Sequence, residues 1–383
     1  MRIAAGILWS RGCGAFRTGT AHTPWDLMNI HIGIRRVLAL AGASAVLVSA
    51  VATAPSASAA ATATTGLFGS ADATYDGVYR QSMALLGLTA ANAPLPATAV
   101  TWLTAQQCAS GAFQSYRPDT SVACSAPDPA AFAGPDSNST ALGAMALQAA
   151  GRSSEANRAA RALRSTQNAD GGWGYTLGGA SDVNSTGLSL AALKAFPATK
   201  DTRTRTQRAM RFLARAQLPC ATGPATRFAL PYQAGQPANA LASVQGLLGI
   251  AGSLPIKEVA ATSVRGTTCA DPLVRTLSWH VDQLIRSTGG RIPSALDGSQ
   301  TDWNATATGV AALASAGAAP RAIAVGIAAL GRNTAAYVGA GPTASPAAAG
   351  TLIQAAVGAG RNPRAFGNAG TNLVSVLLGT LQR

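Results

Sequence analysis

The sequence predicts an all-α protein whose helices form six antiparallel hairpins closed into an (α/α)6 toroid. Three observations predict it. An apolar helix that opens on Asp, Asn or Ser recurs six times, from Asp76, Asn138, Asn184, Asn239, Asn304 and Ser345. Each gap between copies holds a second helix, and no stretch has the strict apolar/polar alternation of a strand. Glycine or proline stands at the joins, where the chain must turn. The starts are 41 to 65 residues apart, too irregular for a solenoid of identical units. A solenoid of helix pairs would also suit, but six hairpins with long loops after alternate helices are the number that closes a ring of inner and outer helices.

Residues 158–195 show one unit in full. Its first helix carries Arg158, Arg161 and Arg164 on one side and small apolar residues on the other. The Asn168-Ala169-Asp170-Gly171-Gly172 run ends that helix, because paired glycines and Asx residues favour a turn over another helical bond. Trp173 and Tyr175 follow as aromatic plugs, and the next helix starts at about Asp182 to Thr186, where side-chain oxygens cap free N–H groups. The second helices share a signature. Leu103-x3-Gln107-x3-Gly111-x-Phe113 and Leu163-x3-Gln167-x3-Gly171-x-Trp173 superpose without a gap. Phe212-Leu213-x3-Gln217 begins the same pattern and diverges at Pro219-Cys220. The segment 279–290 keeps a helix and a glycine pair but loses the glutamine, and 321–330 reads as a helix without the motif. Leu378-x3-Gln382 opens the pattern once more and reaches no glycine or aromatic.

The N-terminal region reads as a targeting segment. Arg35-Arg36 precede the apolar run 37–52, which ends in small residues and an A-x-A pattern at Ala57-Ser58-Ala59, so a mature chain is expected from Ala60. Residues 1–27 fit no such plan, whereas 28–36 form an ordinary basic leader, and translation is expected to start at Met28. The expected organisation is therefore a signal region over 1–59, a short linker over 60–71 and a helical domain over 72–383. No transmembrane segment remains after the signal is removed, and a secreted or cell-surface monomer is expected. Cys108, Cys124, Cys220 and Cys269 are even in number in an exported chain and read as disulfides. Of the three possible pairings, sequence neighbours suggest Cys108–Cys124 and Cys220–Cys269.

Charged residues are only 11% of the chain and apolar ones 48%, a balance that suits tightly packed helices and excludes a disordered acidic protein. The net charge is +14, much of it arginine at 203, 205, 208, 211 and 215. A nucleic-acid partner would need basic and aromatic residues interleaved on one surface. With export expected, the reading is a solvated helix face and no nucleic-acid partner.

The Gln167-x3-Gly171-x-Trp173 element, with Leu163 and Arg158-Ala159 before it, resembles the QW repeat of the prenyltransferase and squalene oxidase repeat family. That family includes terpenoid cyclases, protein prenyltransferase β-subunits and cobalamin binders similar to intrinsic factor. The resemblance spans about 72–383. It implies an α/α toroid in which Gln107, Gly111, Phe113, Gln167, Gly171 and Trp173 are structural, the motif tying the end of an outer helix to the next inner helix, with the glutamine capping backbone and the indole packing on it.

The chemistries known on such toroids leave few traces. No D-x-D-D run is present to protonate an alkene, and no D-D-x-x-D cluster to hold magnesium and diphosphate. His280 reads as an ordinary helix-face residue and the cysteines as paired, so neither zinc nor any other cofactor is expected. Asp136, Asp182 and Asp302 each stand two residues before an asparagine expected to cap an inner helix, and Asp76 occupies a cap position itself. With parallel inner helices these acids ring one mouth of the barrel, as caps or, as in toroidal glycoside hydrolases, as acid and base. Among the aromatics Tyr79, Phe113, Trp173, Tyr175, Tyr232 and Trp303, the last three could line that mouth and stack on a flat ligand. The expected function is non-catalytic binding of a small molecule or a cell-envelope polymer at the mouth, through Tyr175, Asp182, Tyr232, Asp302, Trp303, Asp136 and Asp76. The family resemblance implies the alternative of a terpenoid cyclase or prenyltransferase-like enzyme, with a carbohydrate-active enzyme a further possibility. Carboxylates facing each other across a cleft would favour hydrolysis. Carboxylates turned into their own helices would favour binding.

Overall fold

The computed structural model describes residues 65–295 and 297–383. The expected signal region, the start at Met28 and the cleavage site lie outside the described residues. Within them the chain is all-α, with thirteen α-helices, one short 3-10 turn and only isolated β-bridges. Six helices form an inner ring: α1 (Gly77–Ala90), α3 (Ser137–Ala149), α5 (Val183–Lys194), α7 (Ala240–Ala251), α9 (Trp303–Ser315) and α12 (Pro346–Gly358). Each packs on the next, and α12 packs back on α1, so the ring closes. The outer layer is α2 (Ala97–Ala105), α4 (Ser153–Ser165), α6 (Lys200–Ala216), α8 (Leu273–Ser287), α10 (Pro320–Arg332) with its short continuation α11 (Thr334–Val338), and α13 (Leu373–Leu378). The six expected hairpins are present, with α11 as the one helix beyond twelve.

Composition explains the layering. Outer helices such as α4 and α6 bury alanines and leucines on one face and carry arginine on the other, the amphipathic pattern of a surface helix. Inner helices are apolar nearly all round, as helices must be when neighbours surround them. Their approach is close because contact residues are small. At Gly87 of α1 a Cβ would stand 2.7 Å from the Cα of Gly350 in α12.

The repeated loop is fastened by one pair of bonds. In four repeats a buried plug residue donates its N–H to the hydroxyl four residues beyond the next inner helix's N-cap: Phe113 to Thr140 (3.0 Å), Trp173 to Thr186 (3.0 Å), Leu230 to Ser243 (2.9 Å) and Ile292 to Thr306 (3.0 Å). The plug's carbonyl accepts from the N-cap N–H in return, at Asp136, Asp182, Asn239 and Asp302, and Val338 serves Ser345 in the same way. Only two of these plugs are aromatic, which is why the motif fades beyond Trp173 in the sequence while the geometry persists.

The two motif glutamines bond to backbone carbonyls. Gln107 donates to the carbonyls of Gly111 and Glu155 (both 2.9 Å), and Gln167 to those of Gly171 (2.8 Å) and Arg205 (3.0 Å). Glu155 and Arg205 lie in α4 and α6, so each glutamine ties its loop to the next outer helix, while the plug residue ties it to the next inner one. Gly171 has φ of +96°, and a Cβ there would stand 2.6 Å from the Arg208 carbonyl. The Trp173 indole N–H donates to the Leu163 carbonyl (2.8 Å).

The pattern opened at the C-terminal end is completed by the other end of the chain. Gly66 donates to the Gln382 carbonyl and Gln382 to that of Leu67, while Phe68 bridges Leu381. Gly66-Leu67-Phe68 thus stands where Gly111-Ala112-Phe113 stands in the next repeat, and Leu381 rather than Gln382 holds the glutamine position. Leu67 and Phe68, which the sequence reading left in a linker, are buried parts of the ring. The opposite end of the ring is covered by the α7–α8 connection, where Leu254 and Ile256 are buried and Ile256 donates to Gln354 of α12 (2.7 Å). The disulfides are Cys108–Cys124 and Cys220–Cys269, with Cα separations of 5.7 and 5.6 Å. No helix among the described residues is long and apolar enough to cross a membrane.

Two glycines separate crowding from backbone strain. Gly171→Ala should lower stability by about 2 kcal/mol or more, since strain and overpacking act together. Gly178→Ala has a similar φ of +81° but open space around it, and should cost about 1–2 kcal/mol from the left-handed backbone alone. Urea midpoints of the two variants check the difference, and equal losses would contradict the close approach to α6.

Candidate functional site

All six inner helices present their N-termini at the same end, and the caps are the acids the sequence singled out. Asp136 caps α3 through Ser139 N–H (2.6 Å), Asp182 caps α5 through Ser185 N–H (2.7 Å), and Asp302 caps α9 through Ala305 N–H (2.8 Å). Asn239 and Ser345 cap α7 and α12. Asp76 stands at the N-cap of α1 without a capping bond and pairs with Arg80 at 3.0 Å. The three carboxylates are therefore turned into their own helices.

This corrects the role expected for the asparagines. Asn138, Asn184 and Asn304 are the second helical residues, not the caps. Asn184 donates to Gln245 of the neighbouring inner helix (2.9 Å), and Asn304 accepts from the Tyr337 hydroxyl (3.2 Å). Both side-chain atoms of Asn138 are buried without a hydrogen-bond partner, as are Asn184 Oδ1, Thr176 Oγ1 and Asp136 Oδ2. Buried polar groups are normally bonded, and each unsatisfied one costs about 1–3 kcal/mol. Four residues concentrated beside the mouth of α3 and α5 thus form a locus that asks for a partner. Sequence reasoning missed these amides because capping accounted for them, although an Asn two residues after an Asp in three repeats was the visible signal.

The electrostatics follow from burial. Desolvation raises the Asp136 and Asp182 carboxyls to about 7, against the capping bonds that lower them. Asp302 is raised for the same reason. Tyr175 is half-buried, and the nearby Asp136 carboxylate raises its phenol above the ordinary value, with burial and Tyr232 adding to it. Tyr175 and Tyr232 are equivalent residues, each two beyond its plug. Their carbonyls accept from Ser137 and Val183, at the first turns of α3 and α5.

The predicted residues fall into two groups. Asp136, Asp182, Tyr175 and Tyr232 gather at α3 and α5. Asp302 and Asp76 lie near Tyr79, whose phenol is pushed up to about 12 chiefly by burial, together with Asn304, Thr351 and Tyr337. Trp303 is the half-buried first residue of α9. The one basic side chain in the first turns of the inner helices is Arg80, already bonded to Asp76 and to the carbonyls of Ala71 and Asp72. His280 is buried on α8, and desolvation holds it neutral with a pKa of about 4. Among the described residues no group of His, Cys, Asp and Glu is placed to hold a metal ion.

No family model matches the chain, and no curated protein does. Among solved structures, a protein from Actinoplanes is similar over 73% of this chain and 90% of its own, at 14% identity and a TM-score of 0.46. A substituted form of the type II terpene cyclase MstE from Scytonema, in complex with geranylgeranyl dihydroxybenzoate, is similar over 77% and 92%, at 13% identity and a TM-score of 0.44. A second MstE variant, without ligand, is similar over 73% and 86%, at 14% identity and a TM-score of 0.42.

A carboxyl that ionises less readily folded than unfolded binds its proton more tightly in the native state. Asp136 and Asp182 therefore contribute stability that is fully present below about pH 4 and is lost as pH rises toward 7. Asp136→Asn should flatten that decline while keeping the capping acceptor, read from urea midpoints between pH 4 and 8. A wild-type midpoint that rises over this interval, with Asp136→Asn unchanged from it, would contradict the burial-driven shift.

Proposed function

We propose that the chain is an exported toroid that binds a neutral, polar small molecule bearing hydroxyl and amide groups, the chemistry of an envelope saccharide fragment, at the lumen mouth between α3 and α5. The observation that carries this is the set of unpartnered buried groups, Asp136 Oδ2, Asn138, Asn184 Oδ1 and Thr176 Oγ1. They offer both donors and acceptors, so a ligand with both kinds of group can satisfy them. The charge is right for a neutral guest: Arg80, the one guanidinium in the first turns of the inner helices, is bonded to Asp76 and to backbone carbonyls, and burial favours the protonated form of the acids. Tyr175 and Tyr232 stand beside these groups with faces on which a flat or ring-shaped ligand can rest. The inward-capped carboxylates agree with binding rather than with a facing acid–base pair.

One observation favours a second reading. Asp136 is a buried carboxyl with a raised pKa and an unbonded Oδ2, the properties of a Brønsted acid. On that reading the chain protonates an isoprenoid alkene as a cyclase does. The amides beside Asp136 weigh against it, because their oxygens would intercept a carbocation that aromatic faces would stabilise.

Thermal shift of the purified chain separates the readings. N-acetylated disaccharides should raise the melting temperature, since a ligand bound only by the folded state adds stability by mass action. Asn138→Ala should itself raise the melting temperature of the free protein, because it removes an unsatisfied buried amide. It should also weaken the disaccharide about tenfold, for the loss of roughly one hydrogen bond. No shift with any disaccharide would overturn binding. Conversion of a neutral polyprenyl substrate that Asp136→Asn abolishes would establish the second reading.

A further inference from the structure

The toroid's circumference is charged on one side. Outer helices α2 and α13 contain no charged residue at all, whereas α4 and α6 carry most of the arginines of the outer layer. These two helices are neighbours, joined by the Arg164–Asp201 ion pair (3.1 Å) and by bonds from Arg208 and Arg215 to carbonyls of the loop after α4. Their carboxylates are already used. Glu155 pairs with Arg152 at 2.9 Å, and Asp201 is shared between Arg164 and Arg205. Asp170, in the turn between the layers, accepts from Gly172 N–H and the Ser181 hydroxyl.

What remains is an uncompensated stripe. The side chains of Arg161, Lys200 and Arg211 are exposed and make no hydrogen bond or ion pair to any described residue. Arg203, Arg208 and Arg215 spend their bonds on backbone carbonyls, which leaves their charge unneutralised. A face serving solubility alone mixes both signs. Along α6, Lys200, Arg203, Arg208, Arg211 and Arg215 recur at intervals of three to five residues, which places them about 4.5–7.5 Å apart along the axis. A row of recurring positive charges complements a linear polymer of recurring negative ones.

We infer that the α4–α6 face docks the protein on a linear anionic polymer of phosphodiester-linked polyols, of the kind found in a cell envelope. Docking there does not involve the lumen mouth, so the ring can be held to a surface with its mouth free. Guanidinium groups suit this partner because they donate two parallel bonds to phosphate oxygens. Each contact releases a counterion, so affinity falls steeply with salt.

The test measures binding of the full chain to poly(glycerol phosphate) across a salt series, against the triple variant R161Q/K200Q/R211Q. None of the three side chains supports the fold, and unchanged melting of the variant confirms it. The expected result is at least a tenfold loss of affinity at low salt, with the slope of log affinity against log salt reduced by about 2 for three lost phosphate contacts. The pair R321Q/R332Q, on α10, should leave binding unchanged. Equal binding by the triple variant would overturn the proposal. Tighter binding to double-stranded DNA than to the polyol phosphate would also overturn it, in favour of a nucleic-acid surface.

Discussion

The exchange of backbone bonds between each plug residue and the next inner helix is the constraint from which the rest of the architecture follows. An N-cap N–H and a plug N–H are both donors that a buried loop would otherwise leave unsatisfied. Giving the first to the plug carbonyl and the second to a hydroxyl one turn into the helix settles both. It also fixes the starts of α3, α5, α7 and α9 at one height. Because the hydroxyl comes from Thr140, Thr186, Ser243 or Thr306, the sequence requirement is a small alcohol rather than an aromatic plug. That is how Leu230 and Ile292 hold the positions of Phe113 and Trp173.

Such fastening explains why the ring closes through its ends. The first repeat has no hydroxyl at the corresponding position, since Arg80 occupies it. Gln81 takes over instead, accepting from Phe68 N–H at 2.9 Å and donating to the carbonyls of Gly66 and Ala99 at 2.8 Å. The N-terminal segment is thus fastened as a repeat loop although the outer helix that should precede it, α13, lies at the other end of the chain. Closing a ring in this way concentrates long-range order in a few bonds at 66–69 and 380–382, and those bonds require the hairpins between them to be in place.

The fold was largely legible in the sequence because it is built from local signals repeated six times. Asp182 to Thr186 marked a helix start correctly, and the even cysteine count with its neighbour pairing matched the bonds formed. Failures came where a position's chemistry is set by three dimensions. Asn138 and Asn184 look like caps when read along the chain, yet both are the second residues of their helices, buried against their neighbours rather than capping. Gln382 matched a motif by spacing, yet the residue that takes the position is Leu381, because the partner strand is remote in sequence and sets the register. The mouth was visible as a ring of acids and tyrosines. Its polar, unpartnered locus was not, since whether a buried amide finds a neighbour cannot be read from spacing.

The acids at the mouth resolve a competition between two opposing effects. Six helix N-termini point toward one end, and each carries roughly half a positive charge. That field, with the capping N–H bonds, favours ionised carboxylates. Burial opposes it, since the charged form loses its hydration. At Asp136 and Asp182 burial wins, and both rest near pH 7 rather than near 4. A mouth with positive helix ends and partly neutralised acids suits electron-rich but uncharged atoms such as hydroxyl and carbonyl oxygens. The same positive ends would be a poor place to develop a carbocation, which needs negative or π-electron density around it. The N-terminal ends of the helices thus argue, independently of the unpartnered amides, for a guest that presents oxygen to the ring.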